Sequence, residues 1–155
     1  MSKILRDRLK DGIIVFDVDG VLATYEFGDC CHTTPEWGEE VFKSVDDNPY
    51  CTVNPIPVLQ DYIKQLSSDK VYVCSVADGH ERECKAAFVT KHYAIDEQQI
   101  LFVNSKKEKA EVLSRIKREN PGVQIAIVDD TVKTLDNIWL EDSSILTVHV
   151  TSFFD

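Results

Sequence analysis

Residues 12–23 of the chain read GIIVFDVDGVLA, and this stretch decides the fold class predicted for the sequence. Four apolar residues at 13–16 run directly into Asp17, and Asp19 and Gly20 follow within three positions. A short, continuous apolar run is typical of a strand that is buried on both faces of a parallel sheet. Side chains at positions i and i+2 of an extended segment point to the same side. Both carboxylates are therefore expected to share one small space at the end of a buried strand.

The rest of the sequence alternates short apolar runs with amphipathic stretches, which is typical of a doubly wound α/β sheet. The predicted strands lie at residues 13–17, 71–75, 100–103, 124–129 and 145–150. The predicted helices carry four apolar stripes: Ile56, Leu59, Ile63 and Leu66; Cys84, Ala87, Phe88 and Lys91; Ala110, Leu113 and Ile116; and Val132, Leu135, Ile138 and Trp139. At 155 residues the chain has the length of one domain.

The segment at residues 22–54 interrupts this alternation. It is too long for an ordinary loop between a strand and a helix, and too short to be an independent domain. We interpret it as a flap or small lid over the strand ends, inserted within a single domain at residues 1–155. The alternative is a structural excursion that covers an edge of the sheet.

Composition and charge exclude several classes of function. No apolar run is long enough to cross a bilayer, and the first ten residues lack the apolar segment of a secretory signal. The formal net charge of -10 is expected to repel nucleic acid and anionic membranes. We therefore expect a cytoplasmic protein that binds neither nucleic-acid polymers nor membranes.

The cysteines also favour a reducing compartment. Their number is odd and their spacing fits no disulfide framework: they are Cys30, Cys31, Cys51, Cys74 and Cys84. A zinc site at the sequence CCH, residues 30–32, is not favoured because adjacent cysteines point apart and no second CxxC is present.

Polar side chains collect where the predicted strands end. They are Asp17 and Asp19 after the first strand, Ser75 at the end of the second, Asp129 and Asp130 at the end of the fourth, and Lys106, Lys107 and Lys109 near the start of the helix before the fourth. Ligands of doubly wound sheets bind beyond the carboxyl ends of the strands. Taken singly, these residues also suit turns, helix caps or a solvated surface. Their shared position is what indicates a site.

The chemistry of this group points to phosphate and a hard cation. Several carboxylates a few ångströms apart cannot all stay ionised unless a cation lies among them. Oxygen ligands without histidine or cysteine favour Mg²⁺, and a lysine can hold a phosphate group as a point charge. A carboxylate can also attack phosphorus as a nucleophile, while a second one acts as general acid and then as general base.

Four stretches, in this order along the chain, resemble the motifs of the haloacid dehalogenase-like (HAD) hydrolase superfamily. They are VFDVDGVLA, VYVCS, KAEVL and IAIVDD. The resemblance implies a three-layer fold with a mostly parallel five-stranded sheet in the order 5-4-1-2-3. That order would place the Asp17 strand between the Asp129 strand and the Ser75 strand.

The resemblance also implies roles for single residues. Asp17 would be the nucleophile and Asp19 the general acid/base, while Ser75 and a lysine would hold phosphate. Mg²⁺ would be bound by the Asp17 carboxylate, the Asp19 backbone carbonyl and an acid of the last motif, with Asp130 favoured over Asp129. Lys109 is favoured as the motif lysine, but Lys106 lies one helical turn away and stays an alternative.

Asp19 limits which branch of the superfamily the sequence resembles. The superfamily's dehalogenases lack an acid at this position, and its transport ATPases carry threonine there. An acid suits the phosphatase branch, in which the leaving alkoxide must be protonated. The chain therefore resembles a phosphatase with a minimal cap or none, acting through an aspartyl-phosphate on a nucleotide or another small phosphorylated metabolite. The expected substrate contacts are Tyr25, Phe27, His32 and Trp37 in the insert, and Asp78, Gly79 and His80 after Ser75. An oligomer could supply a lid in trans.

The sequence favours two other classes of function less. A receiver-type phosphoprotein switch carries its paired acids on the first strand, whereas here the pair is on the fourth. A non-catalytic, phosphate-binding scaffold of the same superfamily would be expected to lack a motif residue, and none is visibly missing.

Overall fold

The apolar runs predicted to be strands form one parallel sheet in the computed structural model, which describes residues 1–24, 48–51 and 53–154. Its five strands are β1 (Ile13–Phe16), β4 (Val71–Val76), β5 (Ile100–Val103), β6 (Ile125–Asp129) and β7 (Leu146–His149). Two short strands, β2 (Ala23–Thr24) and β3 (Asn54–Pro55), form a separate antiparallel pair. The α/β class and the parallel sheet are confirmed, and the strand ends agree with the prediction to within one residue.

The strand that leads into Asp17, β1, lies at the centre of the sheet. The order across the sheet is β5-β4-β1-β6-β7, and Phe16 lies opposite Val73 of β4 and Val128 of β6. This is not literally the expected 5-4-1-2-3, because β2 and β3 form their own pair and shift the numbering. Numbered alone, the five strands of the sheet run 3-2-1-4-5, which is the same sequence of positions counted from the opposite edge.

Helices cover both faces of the sheet. They are α1 (Lys3–Leu9), α2 (Pro57–Ile63), α3 (Gly79–Tyr93), α4 (Glu108–Glu119) and α5 (Val132–Glu141). On β1, Ile14 and Phe16 belong to a buried cluster with side chains of α1, α2 and α3, whereas Ile13 and Val15 belong to a cluster with α4 and α5. The strands are therefore buried on both faces, as their continuous apolar sequence predicts. Within the described ranges, no helix combines the length and apolar character needed to cross a bilayer.

Three helices differ from the prediction: α1 is not predicted from the sequence, and the buried faces of α3 and α5 differ from the predicted stripes. The charged N-terminal segment is a helix capped by Ser2, and it buries Leu9. On α3, the predicted stripe residues Ala87 and Lys91 are exposed, while Lys85 and Val89 are buried. Cys84 and Phe88 of the same stripe are buried as predicted. A pattern of apolar residues does not reveal the buried position of Lys85, because ion pairs compensate its charge there. On α5, Leu135 and Ile138 are buried as predicted, but Val132 and Trp139 are exposed.

The two ends of the predicted insert are held together. Ala23 pairs with Pro55 and Thr24 with Asn54 in the ladder between β2 and β3. Behind this ladder, the Tyr93 hydroxyl donates to the Leu22 carbonyl oxygen at 2.5 Å and accepts from the Ile56 backbone N–H at 2.9 Å. The chain therefore leaves and rejoins the domain at one place. Residues 25–47 and 52 lie outside the described residues, so the flap or lid stays a prediction.

Replacing Tyr93 with phenylalanine should lower the free energy of unfolding by about 1–3 kcal/mol, because two buried backbone groups would lose their partner. Burial raises the pKa of Tyr93 to about 12, so the hydroxyl remains a donor near neutral pH. Urea denaturation checks this expectation. Tyr62→Phe is the matched control, since it should keep the edge-on ring contact with Phe153 and change stability little. Equal losses in the two variants would contradict the role given to the Tyr93 hydroxyl.

Candidate active site

Three carboxylates meet at the carboxyl end of the sheet. Asp17 directly follows β1, Asp129 is the last residue of β6, and Asp130 comes next. One oxygen from each lies within 4.8 Å of the others. The parallel sheet causes this proximity, because β1 and β6 are neighbours that run in the same direction and end side by side. The crevice predicted from the strand ends therefore contains these three acids together.

Lys109 is buried between two of the acids. Its Nζ lies 2.9 Å from Asp17 Oδ2 and 2.7 Å from Asp129 Oδ2, and the residue is fully buried. Burial lowers the pKa of Lys109, but Asp17 and Asp129 more than offset this and raise it above its ordinary value. The side chain is therefore a buried cation. Lys106 is exposed at the rim of this group, where its Nζ donates to Thr131 Oγ1 at 3.1 Å.

The pKa of the Asp17 carboxyl group is raised although Lys109 lies beside it. Burial raises the pKa of its carboxyl group, Lys109 opposes the rise, and the neighbouring charges of Asp129 and Asp19 add to it. The Val18 backbone N–H donates to Asp17 Oδ1 at 2.8 Å, and Lys109 contacts Oδ2. Both oxygens of Asp17 are thus held in place, but the positive charge around them does not fully offset the cost of burying the ionised group.

The two acids of the last motif have different surroundings. Asp129 is fully buried, and its Oδ1 accepts from the Thr131 backbone N–H at 2.8 Å while Oδ2 pairs with Lys109. Asp130 is more accessible, and its Oδ1 accepts from Thr131 Oγ1 at 3.0 Å. Protein donors therefore already engage both oxygens of Asp129. Asp130 keeps more freedom to bind a ligand.

Gly20 makes room for Asp130. Its φ of 73° lies in the left-handed region, and a Cβ atom at this position would overlap the Asp130 carboxylate. The glycine therefore serves both the turn after Asp19 and the approach of Asp130 to that turn.

Asp19 and Ser75 are joined by a second buried lysine, Lys85, which the sequence analysis missed. Lys85 Nζ lies 2.6 Å from Asp19 Oδ2 and donates to Ser75 Oγ at 3.4 Å. Tyr50, at the returning end of the insert, donates from its hydroxyl to Asp19 Oδ1 at 2.5 Å. Burial lowers the pKa of Lys85, but Asp19 and Glu81 raise it above its ordinary value.

Only a weak signal in the sequence could have revealed these two residues. Lys85 follows Cys84 on the apolar side of a helix, where a lysine is unusual unless it is paired. Tyr50 lies outside the periodic segments, so no pattern connects it with Asp19 far upstream.

The remaining predicted contacts are less central. Asp78 is an exposed residue at the N-terminus of α3. His80 approaches its own helix, with Nε2 3.3 Å from Cys84 Sγ and Nδ1 3.3 Å from Glu83 Oε2. Tyr25, Phe27, His32 and Trp37 lie outside the described residues.

The donor set fits a divalent oxygen-binding cation. Three carboxylates share their space with one lysine ammonium group, so the group keeps an excess of negative charge. Oxygen ligands alone suit Mg²⁺ better than zinc. The burial that raises the pKa of Asp17 is the kind of cost that a bound cation would offset.

The fold has similar solved structures, although the sequence has no match. No family model and no curated protein matches the chain. The structure of DsGPDH of Dunaliella salina is similar with a TM-score of 0.57 and 19% identity, over 87% of this chain but only 23% of that one. The structure of the HAD domain of effector protein Lem4 from Legionella pneumophila is similar with a TM-score of 0.51 and 15% identity, over 90% of this chain and 84% of that one. These likenesses concern the fold alone, and the second supports a HAD-like arrangement of the α/β domain.

Replacing Gly20 with alanine should destabilise the protein more than replacing Gly122, which is the matched control. Both residues have positive φ, 73° and 81°, so each substitution should cost about 1–2 kcal/mol of backbone strain. The Gly20 variant should lose more because its Cβ would displace Asp130, whereas nothing lies within 4 Å of a Cβ at Gly122. Urea denaturation measures both losses, and equal values would contradict the packing of Asp130 against Gly20.

Removing the ionisable group at Asp17 should make stability less dependent on pH. A carboxyl pKa that is raised by folding gives stability that is present below the unfolded-state value and is lost as pH rises through the folded-state value. In EDTA, the wild type should therefore lose stability relative to Asp17→Asn as pH rises from about 4 to about 8. Urea denaturation across this range provides the measurement.

Asp142→Asn is the control, because folding lowers the pKa of Asp142 whereas it raises the pKa of Asp17. Hydrogen bonds from Lys117 and Ser144 lower the pKa of Asp142 to about 2. Its contribution to stability is therefore retained above the unfolded-state value and lost only as pH falls through the folded-state one. A difference between wild type and Asp17→Asn that stayed constant or grew with pH would contradict the raised pKa of Asp17.

Proposed function

We propose that the protein is a Mg²⁺-dependent phosphomonoester hydrolase that acts through an aspartyl-phosphate on Asp17. The observation that carries this proposal is the convergence of Asp17, Asp129 and Asp130 around the buried Lys109 at the carboxyl end of the sheet. The resemblance of the sequence to the HAD superfamily and the likeness of the fold to a HAD domain support it.

In the first half of the reaction, a carboxylate oxygen of Asp17 attacks the phosphorus of the ester. A bond forms between this oxygen and phosphorus, the bond from phosphorus to the ester oxygen breaks, and Asp19 donates a proton to the leaving oxygen. The Val18 N–H and Lys109 keep the attacking carboxylate in one orientation. Such positioning removes part of the entropic barrier to attack.

In the second half, water releases the phosphate. Asp19, now ionised, takes a proton from the water molecule as it attacks the phosphorus of the aspartyl-phosphate. The bond between phosphorus and Asp17 breaks, so the carboxylate is regenerated and inorganic phosphate leaves. Asp19 leaves this step protonated and Asp17 leaves it ionised, as the first half requires, while Glu81 and the Val76 carbonyl oxygen remain the partners of Lys85.

The residues proposed to hold Mg²⁺ are Asp17, Asp130 and the backbone carbonyl of Asp19. Asp129 is proposed as their neighbour, since Thr131 and Lys109 engage both of its oxygens. The ion would neutralise negative charge on the phosphate group during transfer. Lys109 supplies further positive charge beside Asp17, and Ser75 is the proposed hydroxyl donor to the phosphate.

The proposed substrate is a nucleotide or another small phosphorylated metabolite. Tyr25, Phe27 and Trp37 of the insert are its proposed contacts, and Asp78 and His80 lie on the helix that follows Ser75. The insert would form a small lid, because both of its ends are fixed beside the strand that leads to Asp17.

Asp17→Asn should reduce phosphatase activity at least about 10³-fold, since an amide cannot form the aspartyl-phosphate. Release of inorganic phosphate from a broad panel of phosphomonoesters, with Mg²⁺ and with EDTA, is the measurement. Asp142→Asn is the control, because it removes an acid that is ion-paired with Lys117 and has no role in the proposed reaction. This variant should keep the wild-type rate. If the wild type were no more active than Asp17→Asn on the whole panel, the hydrolase proposal would be wrong.

Thermal unfolding separates the hydrolase from the alternative, a non-catalytic phosphate-binding scaffold. A ligand that binds only the folded state must raise the melting temperature. For the hydrolase, Mg²⁺ with beryllium fluoride should raise it for the wild type and less for Asp17→Asn. A rise with phosphate and Mg²⁺ in a wild type that lacks all activity would favour the scaffold.

A further inference from the structure

The donors of Lys85 are fully committed to protein acceptors. Its Nζ lies 2.6 Å from Asp19 Oδ2, 2.8 Å from Glu81 Oε1 and 2.6 Å from the Val76 carbonyl oxygen. An ammonium group has three protons, and these three short contacts account for all of them. The Ser75 hydroxyl, at 3.4 Å, is a fourth and longer contact. Because the residue is also 1% exposed, Lys85 is placed to organise the site and not to bind substrate.

These contacts join three parts of the fold at one atom. Glu81 lies in the first turn of α3, Val76 ends β4, and Asp19 belongs to the turn after β1. A buried lysine is costly unless its charge is compensated, and Asp19 and Glu81 supply that compensation. Glu81 compensates Lys85 when Asp19 carries a proton, so Lys85 has a partner beside Asp19 in both protonation states of the acid.

Asp19 is held from its other side as well. Tyr50 is buried, and its hydroxyl donates to Asp19 Oδ1, while Lys85 contacts Oδ2. Two donors on different oxygens fix both the position and the rotation of a carboxylate. The Asp19 side chain is nevertheless 33% exposed, so part of it is accessible from solvent.

We propose that Lys85, together with Tyr50, is a positioning residue that directs the Asp19 carboxyl group at the leaving oxygen of the substrate. The inference rests on the proposed function, since it assigns these two side chains a task within that reaction. A misplaced general acid lowers the rate most for esters whose leaving group is most basic, because such a group must be protonated as it departs. Lys85 therefore sets how well the protein handles poor leaving groups, and Tyr50 makes this depend on the returning end of the insert.

The test compares phosphate esters whose leaving groups differ in basicity: 4-nitrophenyl, phenyl and ethyl phosphate. Nitrophenolate departs with little help from an acid, whereas an alkoxide must be protonated. The value of kcat/KM reports events up to the first irreversible step, which includes departure of the leaving group. Lys85→Met should lower kcat/KM for ethyl phosphate about 10- to 100-fold more than for 4-nitrophenyl phosphate.

Tyr50→Phe provides a second variant, because it removes one hydroxyl and keeps the ring contact with Phe88. It should shift the same ratio in the same direction if Lys85→Met proves too unstable to purify. Lys117→Met is the matched control for the lysine, as it breaks an ion pair with Asp142 elsewhere on the molecule, and Tyr62→Phe is the control for the tyrosine. Both controls should leave the ratio between the esters unchanged.

The outcomes distinguish failure of the positioning role from failure of the hydrolase proposal. A purely structural role would lower all three rates by one factor, because less folded enzyme affects every ester equally, and that result would overturn the positioning role alone. Unchanged ratios in both Lys85→Met and Tyr50→Phe, with an active wild type, would overturn it as well. A wild type without activity on any ester of the broad panel would overturn the hydrolase and, with it, the positioning role.

Discussion

The burial of one ammonium group between two carboxylates is the interaction on which the rest of the site depends. Lys109 is fully buried against Asp17 and Asp129, at the junction of β1, β6 and α4. Removing the Lys109 ammonium group would leave Asp17 and Asp129 buried without their shared cation, and an uncompensated buried charge typically costs about 3–5 kcal/mol. The sheet order brings these partners together, because β1 and β6 are neighbours. The ion pairs in turn stabilise the polar end of an otherwise apolar sheet.

A second lysine repeats this arrangement on the opposite face of the sheet. Lys109 comes from α4, and Lys85 comes from α3, which packs with the other hydrophobic cluster. Each lysine compensates one of the two acids that follow β1: Lys109 pairs with Asp17, and Lys85 with Asp19. The two neighbouring carboxylates therefore have separate cations and separate surroundings. Two groups of the same chemical type can take different roles when their surroundings differ in this way.

The sequence predicted most of what depends on local pattern. The five strands were visible as apolar runs, and the strand ends brought Asp17, Asp129 and Asp130 to the edge where the structure places them. Lys109 is favoured over Lys106 because it opens the KAEVL stretch that resembles a superfamily motif, and it is the lysine that lies beside Asp17. These successes share a cause, since strand direction and helix position follow from short stretches of sequence.

What the sequence did not predict depends on contacts between distant segments. Lys85 has an apolar-face position that only its pairing with Asp19 and Glu81 explains. Tyr50 meets Asp19 because the ladder between β2 and β3 returns the chain to β1. Neither pairing leaves a periodic trace, and a single sequence holds no record of which distant residues meet.

The returning end of the insert contacts one of the two acids that follow β1. Tyr50 lies just before β3, and it touches the acid that the proposed reaction uses twice. Tyr93 of α3 binds the backbone at both ends of the same insert, and α3 also carries Lys85. A displacement of the insert's base would therefore reach Asp19 by two routes, through the Tyr50 hydroxyl and through α3 with its lysine. Through Tyr50 and Tyr93, the described ends of the insert are connected to the acid that the proposed reaction uses for proton transfer.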